Sequence, residues 1–261
     1  MSTPRSKAPS LDSLLAKIRA STAKDRNMLQ ALANASGTAV AAVSSPPAPP
    51  ARKPLMLTFV SYQQGDLLGK VAALVTLTPI FAHVALASWI VARRELHAAC
   101  LLLGSVVNTA LCIAIKSQLQ QPRPVGATLS DYGMPSNHAQ TTVFLVAYCV
   151  VFLWHGCSIR HAAFWKPALT LAAAALAFAV GASRIYLGEH SVAQVLVGSL
   201  VGAATALAWY ACFCSVLRPL LLPLLEQPPL RYFYVRDNSH TSDVMRREYE
   251  AHRAGLQIKA R

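Results

Sequence analysis

Residues 192–217 read VAQVLVGSLVGAATALAWYACFCSVL, a run without one charged side chain. As a helix rising 1.5 Å per residue it would be about 39 Å long, more than the ~30 Å hydrocarbon core of a bilayer. Gly198, Gly202 and Ala206 recur every four positions in it. That stripe of small residues lets a second helix approach closely inside a membrane. Four more apolar runs lie upstream, at about 69–91, 97–115, 139–154 and 164–182. With 54% hydrophobic and 13% charged residues, the chain is too apolar for an ordinary soluble domain. The expectation is an all-α, polytopic transmembrane helical bundle of about five spans. Pro79 should kink the first span, which bilayer helices tolerate when neighbours satisfy the freed backbone groups. The stretch RPLLLPLLEQPP (218–229) is short and proline-rich, and reads as interfacial or re-entrant rather than as a sixth span.

The ends are polar. Residues 1–54 form an arm in which Leu11, Leu14, Leu15 and Ile18 have helical spacing, followed by the linker SSPPAPPARKP at 44–54. The arm lacks the apolar centre of a secretory signal. The membrane domain is expected at 55–229 and a basic tail at 230–261. A net charge of +13 raises the question of nucleic acid, but no nucleic-acid fold motif accompanies it, and no such partner is expected. Basic loops beside spans explain the charge more simply. Alternating spans put loops 92–96 and 155–163 and the tail on one side, with Arg93, Arg94, Arg160, Arg218, Arg231, Arg236, Arg246 and Arg247. The positive-inside tendency makes that side cytosolic. Loops 116–138 and 183–191 then share the opposite face. The basic arm falls there too, against the tendency, although most of its charges lie far from the first span. Five of the six cysteines sit in apolar runs as small hydrophobes, and there is no CxxC pair.

Three polar clusters meet on the non-cytosolic face. KSQLQQPRP carries Lys116 and Arg123. YGMPSNHAQ carries Ser136, Asn137 and His138. SRIYLGEHSVAQ carries Ser183, Arg184, His190 and Gln194. Ionisable groups at such depths are costly unless paired or hydrated, so they carry a functional hypothesis. The cations suit phosphate oxygens: guanidinium as a planar fork, ammonium as a point charge. Ser136 and the first N–H groups of the third span add donors at a helix N-terminus. One neutral imidazole can attack phosphorus and the other can protonate the leaving oxygen. Carboxylates are sparse, only Asp131 and Glu189, which argues against a magnesium site built of several carboxylates. A zinc site at His138 and His190 lacks a third ligand. No metal or other cofactor is expected. Blander roles exist for single residues: His138 and Asn137 as helix caps, Arg123 and Arg184 as interfacial anchors, His83 and Asn108 as helix–helix hydrogen-bonding groups. Asn108, Cys112 and Lys116 share one helix face, so Asn108 can support the site.

The spacing K-x6-RP, PSNH, SR-x5-H resembles the type 2 phosphatidic acid phosphatase superfamily. It is met by Lys116 to Arg123-Pro124, Pro135 to His138, and Ser183-Arg184 to His190. The strings GDLLGK, RREL, YGMPSNHAQ, SRIYLGEHSVAQVL and FYVRDNS further resemble the dolichyldiphosphatase family, over about 57–250. The resemblance implies a metal-free phosphatase fold of that superfamily. It implies His190 as the nucleophile forming a phosphohistidine, and His138 as the general acid. Lys116, Arg123, Ser136 and Arg184 would hold the phosphoryl oxygens, with the Asn137 N–H in the cradle. Two positions depart from the superfamily pattern. Asn137 stands for the usual Gly, so its side chain must point away. Gln194 stands for the usual Asp, so it can orient His190 but cannot charge it; dolichyldiphosphatases are similar in carrying Gln here.

The resemblance therefore implies hydrolysis of a polyprenyl substrate, dolichyl diphosphate, to dolichyl phosphate and phosphate. It implies a multi-pass protein of the endoplasmic reticulum membrane with a lumenal site serving N-glycosylation. The alternatives are a phosphatase for another lipid phosphate (phosphatidate or a sphingoid phosphate) and a catalytically silent lipid-binding scaffold.

Overall fold

The computed structural model describes residues 52–55, 60–157, 162–239, 241 and 243–259. The arm up to residue 51, Arg160, His161 and His240 lie outside the described residues. The chain enters as an antiparallel pair, β1 (Arg52–Leu55) and β2 (Val60–Gln63), with Arg52 opposite Gln63 and Leu55 opposite Val60. The last residues of the proline-rich stretch are thus hydrogen-bonded strand.

Six helices follow: α1 (Leu67–Thr76), α2 (Thr78–Arg93), α3 (Leu96–Leu119), α4 (Asn137–His155), α5 (Ala162–Tyr186) and α6 (Val192–Cys212). Asp66 starts α1 by accepting the Gly69 N–H at 2.9 Å, and the Tyr186 hydroxyl donates to the same carboxylate. The kink expected at Pro79 is a break at Leu77. Pro79 falls in the first turn of α2, where its missing N–H would have had no partner in any case. Together α1 and α2 make the first of five segments long and apolar enough to cross a bilayer: Leu67–Arg93, Leu96–Leu119, Asn137–His155, Ala162–Tyr186 and Val192–Glu226. The fifth is longer than its apolar run. Beyond α6 the chain stays helical through a π-turn (Phe213–Leu217), α7 (Arg218–Leu221) and a 3-10 turn (Leu222–Glu226). Gln227 is extended, α8 (Pro228–Tyr232) follows, and α9 (Val244–Lys259) ends the described chain. The stretch 218–229 therefore begins as the continuation of α6 rather than as a separate re-entrant piece.

Outward faces are apolar, with Val106, Ile113, Leu171, Phe178 and Leu200 all exposed. Polar side chains inside the bundle pair between helices. His83 Nε2 meets Ser105 Oγ at 2.7 Å, Gln140 Nε2 donates to Asn108 Oδ1 at 3.0 Å, and Thr76 meets Ser183 at 2.8 Å. The RREL and VRDNS segments clasp each other. Leu96 N–H donates to the Arg236 carbonyl, Arg236 N–H donates to the Arg94 carbonyl, and Glu95 accepts from Arg236 and Asn238. The α2–α3 junction and the tail therefore share the end of the bundle away from the three motifs.

The helix pair with the most extensive packing is α4 with α6. Gly198 and Gly202 make it possible. A Cβ at Gly198 would stand 2.7 Å from the Ser136 carbonyl oxygen, and one at Gly202 would collide with the Gln140 carbonyl. Ala206 continues the contact against a core of Leu101, Phe144 and Tyr148. Gly202→Val should push α6 away from the start of α4 and lower stability by about 1–3 kcal/mol, the usual range for overpacking. Thermal unfolding in detergent measures this. Gly255→Ala, inside α9 where an added Cβ meets nothing within 4 Å, is the control and should not lower stability.

Candidate active site

The three motifs converge at one end of the bundle. Lys116 lies in the last turn of α3, which ends with Gln120 in the left-handed conformation at φ 48°. The following loop carries Arg123 and Asp131. It is tied down by Gly133 N–H to the Gln121 carbonyl (2.7 Å) and by Gln194 Nε2 to the Pro122 carbonyl (2.9 Å). Ser136 then takes the N-cap position of α4, and its N–H donates to the Gln194 carbonyl at 3.0 Å. One main-chain bond so joins the second motif to the third.

The third motif is a hook. Gly188 adopts φ 71°, a left-handed conformation that glycine takes without strain, just past the end of α5. The chain doubles back, and the N–H groups of Glu189 and His190 both donate to the Arg184 carbonyl, at 3.1 and 3.2 Å. His190 thereby stands beside Arg184. Ser191 starts α6 in a reciprocal capping box with Gln194.

Gln194 does more than cap. Its Oε1 accepts from His190 Nδ1 at 3.2 Å as well as from the Ser191 N–H at 3.2 Å. On the other side of the ring, Arg123 Nη1 lies 3.0 Å from His190 Nε2. A guanidinium only donates, so Nε2 is the acceptor and the proton rides on Nδ1. The lone pair of Nε2 is thus aimed at the cluster of cations. Burial, then the charges of Arg123 and Arg184, push the imidazole down to about 3, with the Gln194 bond acting the other way. His190 is neutral at any physiological pH.

Other donors of the three motifs lie at the same end of the bundle. Ser136 Oγ and Arg184 Nε are buried with no hydrogen-bond partner among the described residues. Ser136 makes no cap bond to its own helix, so its hydroxyl is free for another acceptor. The first N–H groups of α4 have no partner within the helix by geometry. Asn137 turns its side chain to Thr141, whose hydroxyl donates to Asn137 Oδ1 at 3.3 Å. Ser183, although part of the third motif, is occupied by Thr76 and the Val180 carbonyl. Cys112 packs its sulfur on the Pro135 carbonyl, and Asn108 holds Gln140 one turn into α4, so this face of α3 buttresses the start of α4.

His138 occupies a junction. Its ring lines an open groove of about 410 Å³ between α2, α3 and α4, walled by Ile80, Val84 and Thr109. It also lines a smaller cavity of about 180 Å³ that reaches Arg184 and Glu189.

Two carboxylates carry more than sequence reading assigned them. Glu189 is 5% exposed. Its Oε1 accepts from the N–H and the hydroxyl of Thr128, and Ser61 of β2 reaches the same hydroxyl at 3.0 Å. It so fastens loop and hairpin over the site; its one sequence signal was adjacency to His190. Asp131 bridges Lys116 Nζ at 3.1 Å and Arg123 Nη2 at 2.7 Å. Partial burial raises its pKa, but the bonds and charges of Lys116 and Arg123 outweigh that and hold the carboxyl below its usual range. Among the described residues no group of three or more His, Cys, Asp or Glu side chains is arranged around a metal position.

Residues 97–216 match the model of the PAP2 superfamily. The chain is 36% identical over 224 residues to dolichyldiphosphatase 1 of Homo sapiens, covering 82% of this chain and 93% of the relative. It is 35% identical over 213 residues to lipid phosphate phosphatase gamma of Arabidopsis thaliana, covering 77% and 92%. In fold it resembles a PAP2 type phosphatidylglycerolphosphate phosphatase of Bacillus subtilis, with a TM-score of 0.51 at 22% identity over 59% of this chain and 80% of that one.

The electrostatics of His190 predict a pH response. If Nε2 must be unprotonated to react, the acid limb of kcat/KM for this group lies well below an ordinary imidazole. Gln194→Asp sets a negative charge beside Nδ1–H, favours the imidazolium and raises its pKa. The acid limb should move to higher pH, which a pH–rate profile of both proteins reads directly.

Proposed function

The chain belongs to the PAP2 superfamily, and on that premise we propose that it hydrolyses dolichyl diphosphate to dolichyl phosphate and phosphate. The observation that carries the reading is the position of His138. It stands between an apolar groove able to take a polyprenyl chain and a cavity edged by Arg184, while Nε2 of His190 faces the cations.

His190 Nε2 attacks the terminal phosphorus. The bond from that phosphorus to the bridging oxygen breaks, and His138 gives its proton to the departing lipid phosphate. The phosphoryl group is left on His190. Water then attacks it with His138 as base, releasing phosphate and restoring His190. Lys116, Arg123, Arg184, Ser136 and the Asn137 N–H hold the three equatorial oxygens throughout, which is the main electrostatic task of phosphoryl transfer.

Gln194 favours a diphosphate. A carboxylate at this position would make His190 a stronger base; an amide only orients it. An anhydride asks less of the nucleophile, because its leaving group is a phosphate monoester with a last pKa of about 6 rather than an alkoxide. The similarity to the human dolichyldiphosphatase supports the same substrate. The similarity to a plant lipid phosphate phosphatase is the specific reason to keep a second reading, hydrolysis of a lipid monophosphate. Location in the endoplasmic reticulum with the motif end lumenal is part of the proposal, and there the product would return to the carrier pool for N-glycosylation.

Purified protein should turn over dolichyl diphosphate faster than phosphatidate or sphingosine phosphate, measured as phosphate release. Equal or better turnover of the latter two would sink the substrate. His190→Ala should lose about 10³-fold or more of that activity, as removal of a covalent nucleophile does. An N-glycan acceptor inserted at Gly126, an exposed glycine at φ 88°, should be modified in microsomes; an unmodified insert points the site to the cytosol.

A further inference from the structure

The donors of the three motifs divide in two. Ser136 Oγ and Arg184 Nε are buried and without a partner among the described residues, as donors awaiting an anion would be. Lys116 and Arg123 instead already hold an anion of the protein's own. The Asp131 carboxylate accepts from Lys116 Nζ through Oδ2 at 3.1 Å, and from Arg123 Nε and Nη2 through Oδ1 at 2.8 and 2.7 Å. Two guanidinium donors and one ammonium on a single carboxylate is the contact set of a bound phosphate oxygen pair.

The two carboxylates at the site are not equivalent. Glu189 is buried, follows the hook after α5, and is fastened by Thr128. Asp131 is more than half exposed, its side chain at 55%, while Arg123 is almost covered at 6%. It sits in the 120–136 loop, flanked by the exposed residues Leu129, Ser130 and Tyr132. Among the described residues no hydrogen bond of its own backbone ties it to a helix or strand. A phosphate entering the cradle must take over the donors that Asp131 holds, and Asp131 is the group able to leave.

We propose that Asp131 is an internal competitor for phosphate at Lys116 and Arg123, a residue that sets the affinity of the site for its product. It imposes the same penalty on every anion that needs these two cations. A lipid diphosphate offsets the penalty through its polyprenyl chain in the groove and its second phosphate. Orthophosphate has no such contacts, so Asp131 returns to the cations and phosphate is expelled after each turnover. This rests on the proposed phosphatase reading for its purpose, but the competition itself is a property of the anion site alone.

The test uses inorganic phosphate as the probe on the purified full chain, by calorimetric titration and by thermal shift. Asp131→Asn keeps size and polarity and removes the competing charge. It should bind phosphate more tightly, by roughly fivefold, the weight of a partly exposed ion pair. Asp131→Ala should shift the same way. If Asp131 instead only positions Lys116 and Arg123, both variants bind phosphate more weakly, and that result overturns the proposal, as would unchanged affinity. Product inhibition of dolichyl diphosphate turnover is the second readout, with a Ki for phosphate lowered by the same factor. Should dolichyl diphosphate prove not to be the substrate, the binding arm still decides the role of Asp131. If Asp131→Asn fails to fold, the Asp131→Ala titration decides alone.

Discussion

The site depends on how closely α6 can approach the start of α4. The Ser136 N–H reaches the Gln194 carbonyl at 3.0 Å because Gly198, one turn further along α6, presents no side chain to the Ser136 backbone. That single bond sets the second motif against the third. It sets the Ser136 hydroxyl, the first amides of α4 and His138 on one side, with Arg184 and His190 on the other. In a bilayer there is no hydrophobic force between helices, so close backbone packing of this kind is what association relies on. The same two glycines that let α4 and α6 pack closely therefore also set the second motif against the third.

Around that joint the electrostatics are arranged to keep His190 neutral and aimed. Three cations press on an imidazole that is largely buried, which disfavours a fourth positive charge. Gln194 then fixes which nitrogen carries the proton, using an oxygen that also caps α6. Two carboxylates, Asp131 and Glu189, lean on the same Arg123, the second at 3.9 Å. One is fastened and one is exposed. Fixed and movable negative charge together keep the cations oriented between turnovers without leaving them to hold product.

Much of this was legible in the chain. Helices α3 to α6 follow from apolar runs whose length is set by bilayer thickness. The family and its chemistry follow from three motifs whose internal spacing is short enough to read without a fold. The Gly198–Gly202–Ala206 stripe announced its contact correctly, since a small-residue face has few other uses in a membrane helix. His83 and Asn108 were expected to bond between helices and do so. Reading was poorer wherever the chain leaves regular periodicity. The break at Leu77 was expected as a kink at Pro79, because proline marks a disturbance without saying whether the neighbouring turn will close. The prolines of 218–229 suggest a separate piece, but a π-turn lets the chain stay helical through Glu226.

The sequence by itself determined the spans, the face on which the motifs gather, and the residue types able to hold and attack a phosphoryl group. Those properties are local: they depend on side-chain chemistry, on the rise of a helix and on spacings of a few residues. Only the tertiary structure decided the partners. Asp131 with Lys116 and Arg123, Glu189 with Thr128, Asn108 with Gln140, and the carbonyl of Gln194 with Ser136 are pairings across 8 to 61 residues. Their geometry depends on the path of the 120–136 loop and on how deeply α6 nests against α4. No local rule encodes that path, because charges in a loop are free to meet any opposite charge until the packed helices bring one of them within 3 Å.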